Sequence, residues 1–174
     1  MNTMRKTPVT ACCTMSSPLG EMLLVARDGA LAGVYFAGQK YLPQNDPAWR
    51  VDADLPVLRA ARRQLADYFA GARMRFDLPL APDAGTPFQR AVWTAIAGVE
   101  WGETATYTEI AARAGRAGSV RAAGAATGRN PWSIVVPCHR VVGVGGALTG
   151  YAGGLDRKRA LLALERRDLL TRAA

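Results

Sequence analysis

The chain has 174 residues, of which 49% are hydrophobic, which suits one ordinary domain or two small ones and excludes a disordered chain. No apolar run approaches the roughly 20 residues of a membrane span, and residues 1–6 lack the apolar core of a signal peptide, so we expect no membrane partner and a cytoplasmic location. The net charge of +8 is concentrated in residues 86–174, which carry twelve Lys and Arg against six Asp and Glu. This charge fits a polyanionic partner such as DNA, and equally a solvated surface in an Arg-rich proteome.

The chain contains only three cysteines and one histidine. Cys12, Cys13 and Cys138 are odd in number and follow no framework spacing, which argues against a disulfide scaffold. His139 has no second histidine with which to build a zinc site, so we expect no metal. We interpret Cys12 and Cys13 as strand residues rather than as a ligand or redox pair.

The first part of the chain predicts a small antiparallel sheet. Strands are expected at residues 10–16, 21–27 and 30–36, where short apolar runs alternate with polar residues. Turn residues at 18–20 and 28–29 would join these strands into a meander.

A loop and one helix are expected after the meander. Residues 39–53 are rich in Pro, Asn and Asp and predict an irregular loop. Residues 55–70 predict an amphipathic helix that ends at Gly71, with apolar positions at Leu58, Leu65, Tyr68 and Phe69. Residues 74–80 predict a further strand, and residues 82–85 a linker.

The second part opens with a strong helix start. Thr86 is the expected N-cap, Pro87 fits the first helical position, and Gln89 can complete a capping box. The apolar stripe of this helix would comprise Phe88, Val92 and Ile96.

Two short helices are predicted next. Residues 106–109 have capping-box spacing and begin a helix that runs to about Ala114. Residues 115–118 form a Gly-containing turn, and Ser119 caps a second helix that Gly128 ends. This arrangement is typical of a helix-turn-helix, although many such helical pairs bind nothing.

The second helix of this pair is unusually bare, because residues 122–126 are all Ala or Gly. A helix that reads the major groove needs long polar side chains. A bare helix can instead approach a backbone closely or enter a narrow groove. The alternative is an Ala-rich helix packed tightly against its neighbour.

The sharpest feature is the run from Ile134 to Val142, which predicts a buried strand that delivers Pro137, Cys138 and His139 to a cleft. A thiolate is the reactive form of cysteine, and a nearby base or positive charge lowers the pKa of a thiol. A Cys–His pair therefore suits an activated nucleophile, whereas most free cysteines are inert core residues.

The motif Pro137-Cys138-His139-Arg140-Val141 resembles the active-site signature of the 6-O-alkylguanine-DNA alkyltransferases, also called methylated-DNA–protein-cysteine methyltransferases. The similarity extends across residues 86–174, whereas residues 1–85 resemble the family's more variable N-terminal domain only in shape. The further matching blocks, in order, are Gly85-Thr86-Pro87-Phe88-Gln89, Gly102-Glu103-Thr104, Tyr107, Val120-Arg121-Ala122, Arg129-Asn130-Pro131, and Gly150-Tyr151 followed by Gly153-Gly154.

The resemblance implies a set of catalytic residues. Cys138 would accept the alkyl group, His139 would act through a water as its base, and Glu165 would orient His139. Asn130 would tie the helix-turn-helix to the active-site strand. From the residues alone, Glu165 lies on a predicted helix that Asp156 would cap. Glu165 also fits a surface position beside Arg166, and Asn130 fits ordinary turn chemistry.

The resemblance also implies how DNA is bound. Tyr107 would approach the flipped nucleotide, and Arg121, with Ser119 beside it, would contact the duplex and fill the gap that the base leaves. By itself Arg121 also suits an ordinary surface position. The guanine pocket would be lined by Val141, Tyr151, Ala152 and Gly153, where Ala152 replaces the Ser of many relatives.

The expected fold is α/β. A small ribonuclease-H-like domain over residues 1–81, with an antiparallel sheet and a helix, would precede a winged-helix catalytic domain over residues 86–174.

The expected reaction is a single, irreversible transfer from double-stranded DNA to Cys138, without a cofactor, by a nucleoid-associated monomer. Cooperative binding along DNA is left open. Two rivals are a lesion sensor that binds alkylated DNA without chemistry and an unrelated Cys–His hydrolase.

Overall fold

A computed structural model describes residues 9–44 and 46–172. The first part forms a four-stranded sheet in the order β3-β2-β1-β4, covered by helix α1. Its elements are β1 (Thr10–Ser17), β2 (Gly20–Arg27), β3 (Ala30–Phe36), β4 (Arg50–Val51) and α1 (Pro56–Phe69).

The second part is mainly helical. Its elements are α2 (Pro87–Ala97), β5 (Ala105–Thr106), α3 (Tyr107–Arg113), α4 (Val120–Gly128), β6 (Val141–Val142) and α5 (Leu155–Arg172), with 3-10 turns at Cys138–Arg140 and Val144–Gly146. Strands β5 and β6 pair in parallel. Within the described residues, no helix is long and apolar enough to cross a membrane.

The predicted meander is confirmed, because β1 pairs antiparallel with β2 and β2 with β3. The Asp28-Gly29 turn has positive φ at both residues (50° and 81°), the geometry of a two-residue hairpin turn. Helix α1 buries Leu58, Leu65 and Tyr68 against the sheet, as the apolar spacing predicts.

Both predicted capping boxes are confirmed. The Thr86 side chain accepts from the Gln89 backbone N–H, and the Gln89 side chain accepts from the Thr86 backbone N–H. Thr106 and Glu109 make the same reciprocal pair at the start of α3. Ser119 occupies the N-cap position of α4, but its side chain makes no cap bond.

Three predictions in the first part and in α5 are wrong. Within the expected loop 39–53, Arg50–Val51 adds a short strand parallel to β1. The expected strand 74–80 is irregular, because the Gln64 side chain bonds both the N–H and the C=O of Asp77 and leaves only a bridge between Leu31 and Leu80. Asp156, which we expected to cap α5, lies inside its first turn and pairs with Arg159.

The edge of β3 that faces away from β2 holds the two parts of the chain together. Val34 donates to the carbonyl of Pro131 and accepts from the N–H of Ser133, and the Trp132 indole donates to the carbonyl of Leu31. The Trp132 ring meets Trp93 of α2 edge to face, with ring centroids 5.5 Å apart. The residues just before the Cys–His segment are therefore held against the sheet.

Candidate active site

The segment before Cys138 is a turn, not the buried strand expected from its β-branched residues. Ile134 has a φ of +71°, which is rare for a β-branched residue. The Asn130 side chain accepts from the Trp132 N–H at 3.0 Å and donates to the carbonyl of Val136 at 2.8 Å. Because this buried amide bonds the backbone on both sides of the bend, it takes the place of strand pairing.

Cys138 begins the 3-10 turn and lies 4% exposed at the wall of a cavity of about 360 Å³. Burial raises the pKa of its thiol, and this outweighs the opposite effects of Asn130 and Lys158. The neighbours thus lower this pKa as expected, but desolvation dominates and the net shift is upward. A protonated thiol needs a base before it can act as a nucleophile.

His139 and Glu165 form a fully buried pair. Nε2 of His139 lies 2.7 Å from Oε1 of Glu165. Glu165 lies on helix α5, which packs against the 3-10 turn. Since an ionised carboxylate only accepts hydrogen bonds, we assign the proton to Nε2, which leaves Nδ1 with a lone pair. Nδ1 is buried and has no hydrogen-bond partner among the described residues.

The charges around this pair favour a neutral imidazole beside an anionic carboxylate. Burial lowers the pKa of His139, although Glu165 opposes that shift. Burial alone would raise the pKa of Glu165, but the hydrogen bonds and charges of His139 and Arg140 lower it to about 2. His139 is therefore ready to accept a proton at neutral pH.

Arg140 completes the ionic cluster. Its Nε and Nη2 lie 2.9 and 3.0 Å from the two oxygens of Glu165, in a bidentate arrangement. Its Nη1 donates to the carbonyl of Val99 at 2.6 Å, and the Gly102 N–H donates to Glu165 Oε2 at 3.3 Å. This buried carboxylate is paired on both oxygens, as a buried charge requires.

The cavity beside Cys138 brings several predicted pocket residues together. Its size falls in the range of small-molecule sites. Tyr107, Tyr151 and Ala152 line it, and the Tyr107 hydroxyl donates to the carbonyl of Thr149 at 2.8 Å. Gly153 follows Ala152 and packs against the Tyr151 ring. A Cβ atom at this position would come within 2.7 Å of that ring, so only glycine fits.

Lys158 fixes the rear of the pocket. This fully buried side chain donates from Nζ to the carbonyls of Val141 at 2.5 Å and Gly150 at 3.1 Å. The Val141 carbonyl, which the resemblance assigns to the guanine amino group, thus already accepts one bond. A carbonyl oxygen can accept two.

Helices α3 and α4 pack against each other as a helix pair beside the cavity. Gly124 and Ala125 of α4 line the cavity, whereas Arg121 is exposed on the first turn. Arg121 makes no hydrogen bond or ion pair with any residue that the structure describes. Tight packing, one of the two interpretations of this bare helix, is found on one face, where Ala123 and Ala126 are packed in the core. Its entry into a narrow groove stays a prediction.

Comparison with known proteins accounts for both parts of the chain. The profile of the 6-O-methylguanine DNA methyltransferase ribonuclease-like domain matches residues 11–82, and that of the DNA-binding domain of the same family matches residues 87–167. The chain belongs to the 6-O-methylguanine DNA methyltransferase family.

Named members of this family are similar to the chain over most of their length. Proteins named methylated-DNA–protein-cysteine methyltransferase from Mycolicibacterium paratuberculosis and Methanosarcina acetivorans are 47% and 46% identical to this chain, over 88% and 86% of it and 91% and 94% of their own lengths. The crystal structure of Mycobacterium tuberculosis OGT in complex with DNA is 42% identical, covers 89% of this chain and 92% of its own, and has a TM-score of 0.80. The α/β fold expected from the resemblance is confirmed.

In this family member the sequence analysis missed three site residues. Arg140 stood inside the quoted motif, so its position was a usable signal. Lys158 and Tyr68 gave no such signal. A lysine near the start of a helix suits a surface position, and a tyrosine on an apolar stripe suits a core position. Among the described residues, no group of three or more His, Cys, Asp or Glu side chains could hold a metal ion.

Proposed function

We propose that this protein repairs DNA by moving the alkyl group of a 6-O-alkylguanine onto Cys138. One observation carries the proposal: a cavity-lining cysteine is followed directly by a buried histidine whose Nε2 is held by a carboxylate, leaving Nδ1 as the basic atom. Membership of the family supports the same reaction.

The reaction balances with residues of this chain alone. The thiol proton of Cys138 passes through a water to Nδ1 of His139, and Glu165 stabilises the imidazolium that forms. The thiolate attacks the alkyl carbon as the bond from that carbon to the guanine oxygen breaks. The electron pair of that bond stays on the guanine. The guanine takes up one proton, which balances the one that the thiol lost, and remains in the DNA as the unmodified base.

The product explains why no cofactor is required. The damaged DNA is the alkyl donor, and the protein is the acceptor. The thioether on Cys138 has no thiol proton and no leaving group for a return step, so each molecule acts once.

DNA would be bound along α4. The exposed small side chains of this helix suit close approach in the minor groove of double-stranded DNA, with Ser119 and Arg121 at its start facing the duplex. The target base would be flipped, because its oxygen is inaccessible inside the stack.

The flipped guanine would enter the cavity beside Cys138. Tyr107 and Tyr151 offer aromatic surface, while Ala152, Gly153 and Val141 offer backbone groups. Asn130 would keep the 3-10 turn at a constant distance from α4. We further propose that the protein acts as a monomer at the nucleoid in the cytoplasm, where its substrate lies.

Intact-protein mass after incubation with a methylguanine duplex tests the proposal. We expect one methyl group per protein molecule, located on Cys138 by peptide mapping, and no further uptake when more duplex is added. Tight binding of the lesion without a mass increase would identify a sensor instead. A methyl group on Cys12 or Cys13 would also refute the assignment.

A further inference from the structure

Tyr68 reaches the catalytic pair from the other part of the chain. It lies in the last turn of α1, which belongs to the sheet-bearing part, and its side chain is fully buried. Its hydroxyl donates to Oε1 of Glu165 at 2.9 Å and lies 3.5 Å from Nε2 of His139.

The ring of Tyr68 is fixed by its neighbours. It meets Trp101 edge to face with centroids 5.2 Å apart, and it contacts Phe76 at 5.7 Å. Burial, with Glu165 next, holds the pKa of Tyr68 well above 10, so the hydroxyl is a permanent donor at physiological pH. Because its ring is fixed and its proton is retained, this hydroxyl donates a hydrogen bond in a defined direction.

The oxygen that Tyr68 contacts is the one that orients His139. Oε1 of Glu165 accepts from Nε2 of His139 at 2.7 Å, from Tyr68 at 2.9 Å and from Nη2 of Arg140 at 3.0 Å. Three donors therefore share the negative charge of one buried oxygen. Any donor that is removed leaves more of that charge to the other two.

We propose that Tyr68 is a positioning residue for alkyl transfer, whose hydroxyl orients Glu165 Oε1 and limits the charge that this oxygen presents to His139. The inference rests on the proposed function and extends it, because it gives the ribonuclease-like part a direct place in the proton relay. The helix α1 thus contributes more than packing.

The sign of the effect follows from the groups that face the imidazole. Glu165 stabilises the imidazolium, whereas Arg140 and Lys158 disfavour it, and burial disfavours it most. Without the Tyr68 hydroxyl, Oε1 would carry more negative charge towards Nε2. Protonation of His139 would then occur at higher pH, and less neutral imidazole would be present as a base.

Tyr68→Phe tests the inference because it keeps the ring and removes only the hydroxyl. We expect transfer at pH 7 to slow by roughly three- to tenfold, which corresponds to the net contribution of one typical hydrogen bond. The acid limb of the pH–rate profile should move to higher pH. Tyr35→Phe is the matched control, because it removes a hydroxyl from β3 that makes no bond to Glu165 or His139 among the described residues, and it should leave both quantities unchanged.

The titration of His139 gives a second readout that does not depend on transfer. His139 is the only histidine in the chain, so its imidazole nitrogen signals in NMR need no assignment by mutation. We expect its protonation midpoint to be higher in Tyr68→Phe than in the wild type. Coinciding titrations, including the case in which neither imidazole protonates while the protein is folded, would overturn the inference.

The two proposals can fail separately. If the wild type takes up no methyl group, the proposed function fails whatever Tyr68 does. If the wild type is methylated and Tyr68→Phe matches it in rate and pH profile, only the role of Tyr68 is refuted. A lower melting temperature with an unchanged pH profile would show that the hydroxyl is merely structural.

Discussion

At the scale of single residues, burial does not distinguish the proposed acceptor cysteine, because all three cysteines of the chain are buried. Cys12 and Cys13 are buried residues of strand β1, whereas Cys138 lines the cavity and is followed by a base. Position relative to a cavity and a base is therefore what separates a nucleophile from an inert core thiol.

Cys138→Ser should abolish transfer while leaving DNA affinity within about threefold, because the change removes the thiolate and almost no volume. Intact-protein mass and a binding titration on the same methylguanine duplex provide the two measurements. Stoichiometric methylation of the Ser variant would contradict the assignment of the acceptor.

His139 and Glu165 should behave as one unit. Replacing either with Gln should slow transfer by roughly 10²-fold or more, and the double variant should be little slower than the worse single variant. Single-turnover rates should be compared well below each variant's melting temperature, because Glu165→Gln also leaves the buried Arg140 without its counter-charge. Cleanly multiplicative losses would mean that the two residues act independently.

At the scale of elements, α4 combines a packed face with an exposed, nearly bare one. Ala123 and Ala126 are buried, while Arg121 and Ala122 are exposed at the start of the helix. Intrinsic helix propensity favours Ala, so the helix forms without large side chains. Arg121 is therefore the main long side chain with which this helix can contact a partner.

Arg121→Ala should slow repair of duplex DNA by at least about tenfold and leave the reaction with free 6-O-methylguanine nearly unchanged, because flipping is needed only in the duplex. Arg121→Lys separates two mechanisms. A purely electrostatic role would be rescued by Lys, and Arg121→Ala would then reduce the salt slope by about one unit. Equal losses on both substrates would instead place Arg121 in the architecture of the active site.

Gly124→Ala tests whether the bare surface of α4 is required. The added Cβ would lie 3.8 Å from the Tyr107 ring, an ordinary contact, so the folded state should gain about 0.5–1 kcal/mol from the better helix former. Transfer from duplex DNA should nevertheless slow roughly tenfold, the effect of one extra methyl group in a close contact. An unchanged rate would mean that small residues here serve only packing, and an equal loss on free base would mean that the methyl group obstructs the pocket.

At the scale of the whole molecule, one buried ionic cluster joins the two parts. Glu165 on α5 contacts Tyr68 on α1 and both His139 and Arg140 on the 3-10 turn. The division at residues 1–81 and 86–174 stays a prediction, and the cluster lies across it. Protonation of this cluster should therefore affect the stability of the entire fold.

Stability should fall on acidification in two stages. The pKa of His139 is lowered on folding, so the unfolded chain binds its proton more readily and stability begins to fall below about pH 6.5. The pKa of Glu165 is lowered from 4.5 to about 2, so its contribution, of the order of 3 kcal/mol, is present above pH 4.5 and is lost towards pH 2. Denaturant unfolding across this range measures the free energy of unfolding at each pH. This free energy should fall less steeply with acidification in Glu165→Gln than in the wild type, and parallel curves for the two proteins would contradict the assignment.

Local order was predictable because it depends on neighbouring residues. The meander, both capping boxes and the amphipathic helix α1 follow from turn residues, cap spacing and apolar period, and each is found where expected. The motif around Cys138 identified the family before the fold was known. A pattern that is local in the chain needs no tertiary information.

The conformation and surroundings of that motif were decided by tertiary contacts. The side chain of Asn130 turns the apolar run 134–136 away from the strand that its residues favour, and Gln64 does the same to 74–80. Tyr68 meets Glu165 across 97 positions of sequence, and no local pattern distinguishes a core tyrosine from one that donates to a catalytic carboxylate. The sequence by itself therefore determined most of the elements, the family and the proposed nucleophile. Only the folded structure decided how desolvation and shared hydrogen bonds set the charge of each group around it, because both depend on residues that are distant in the chain.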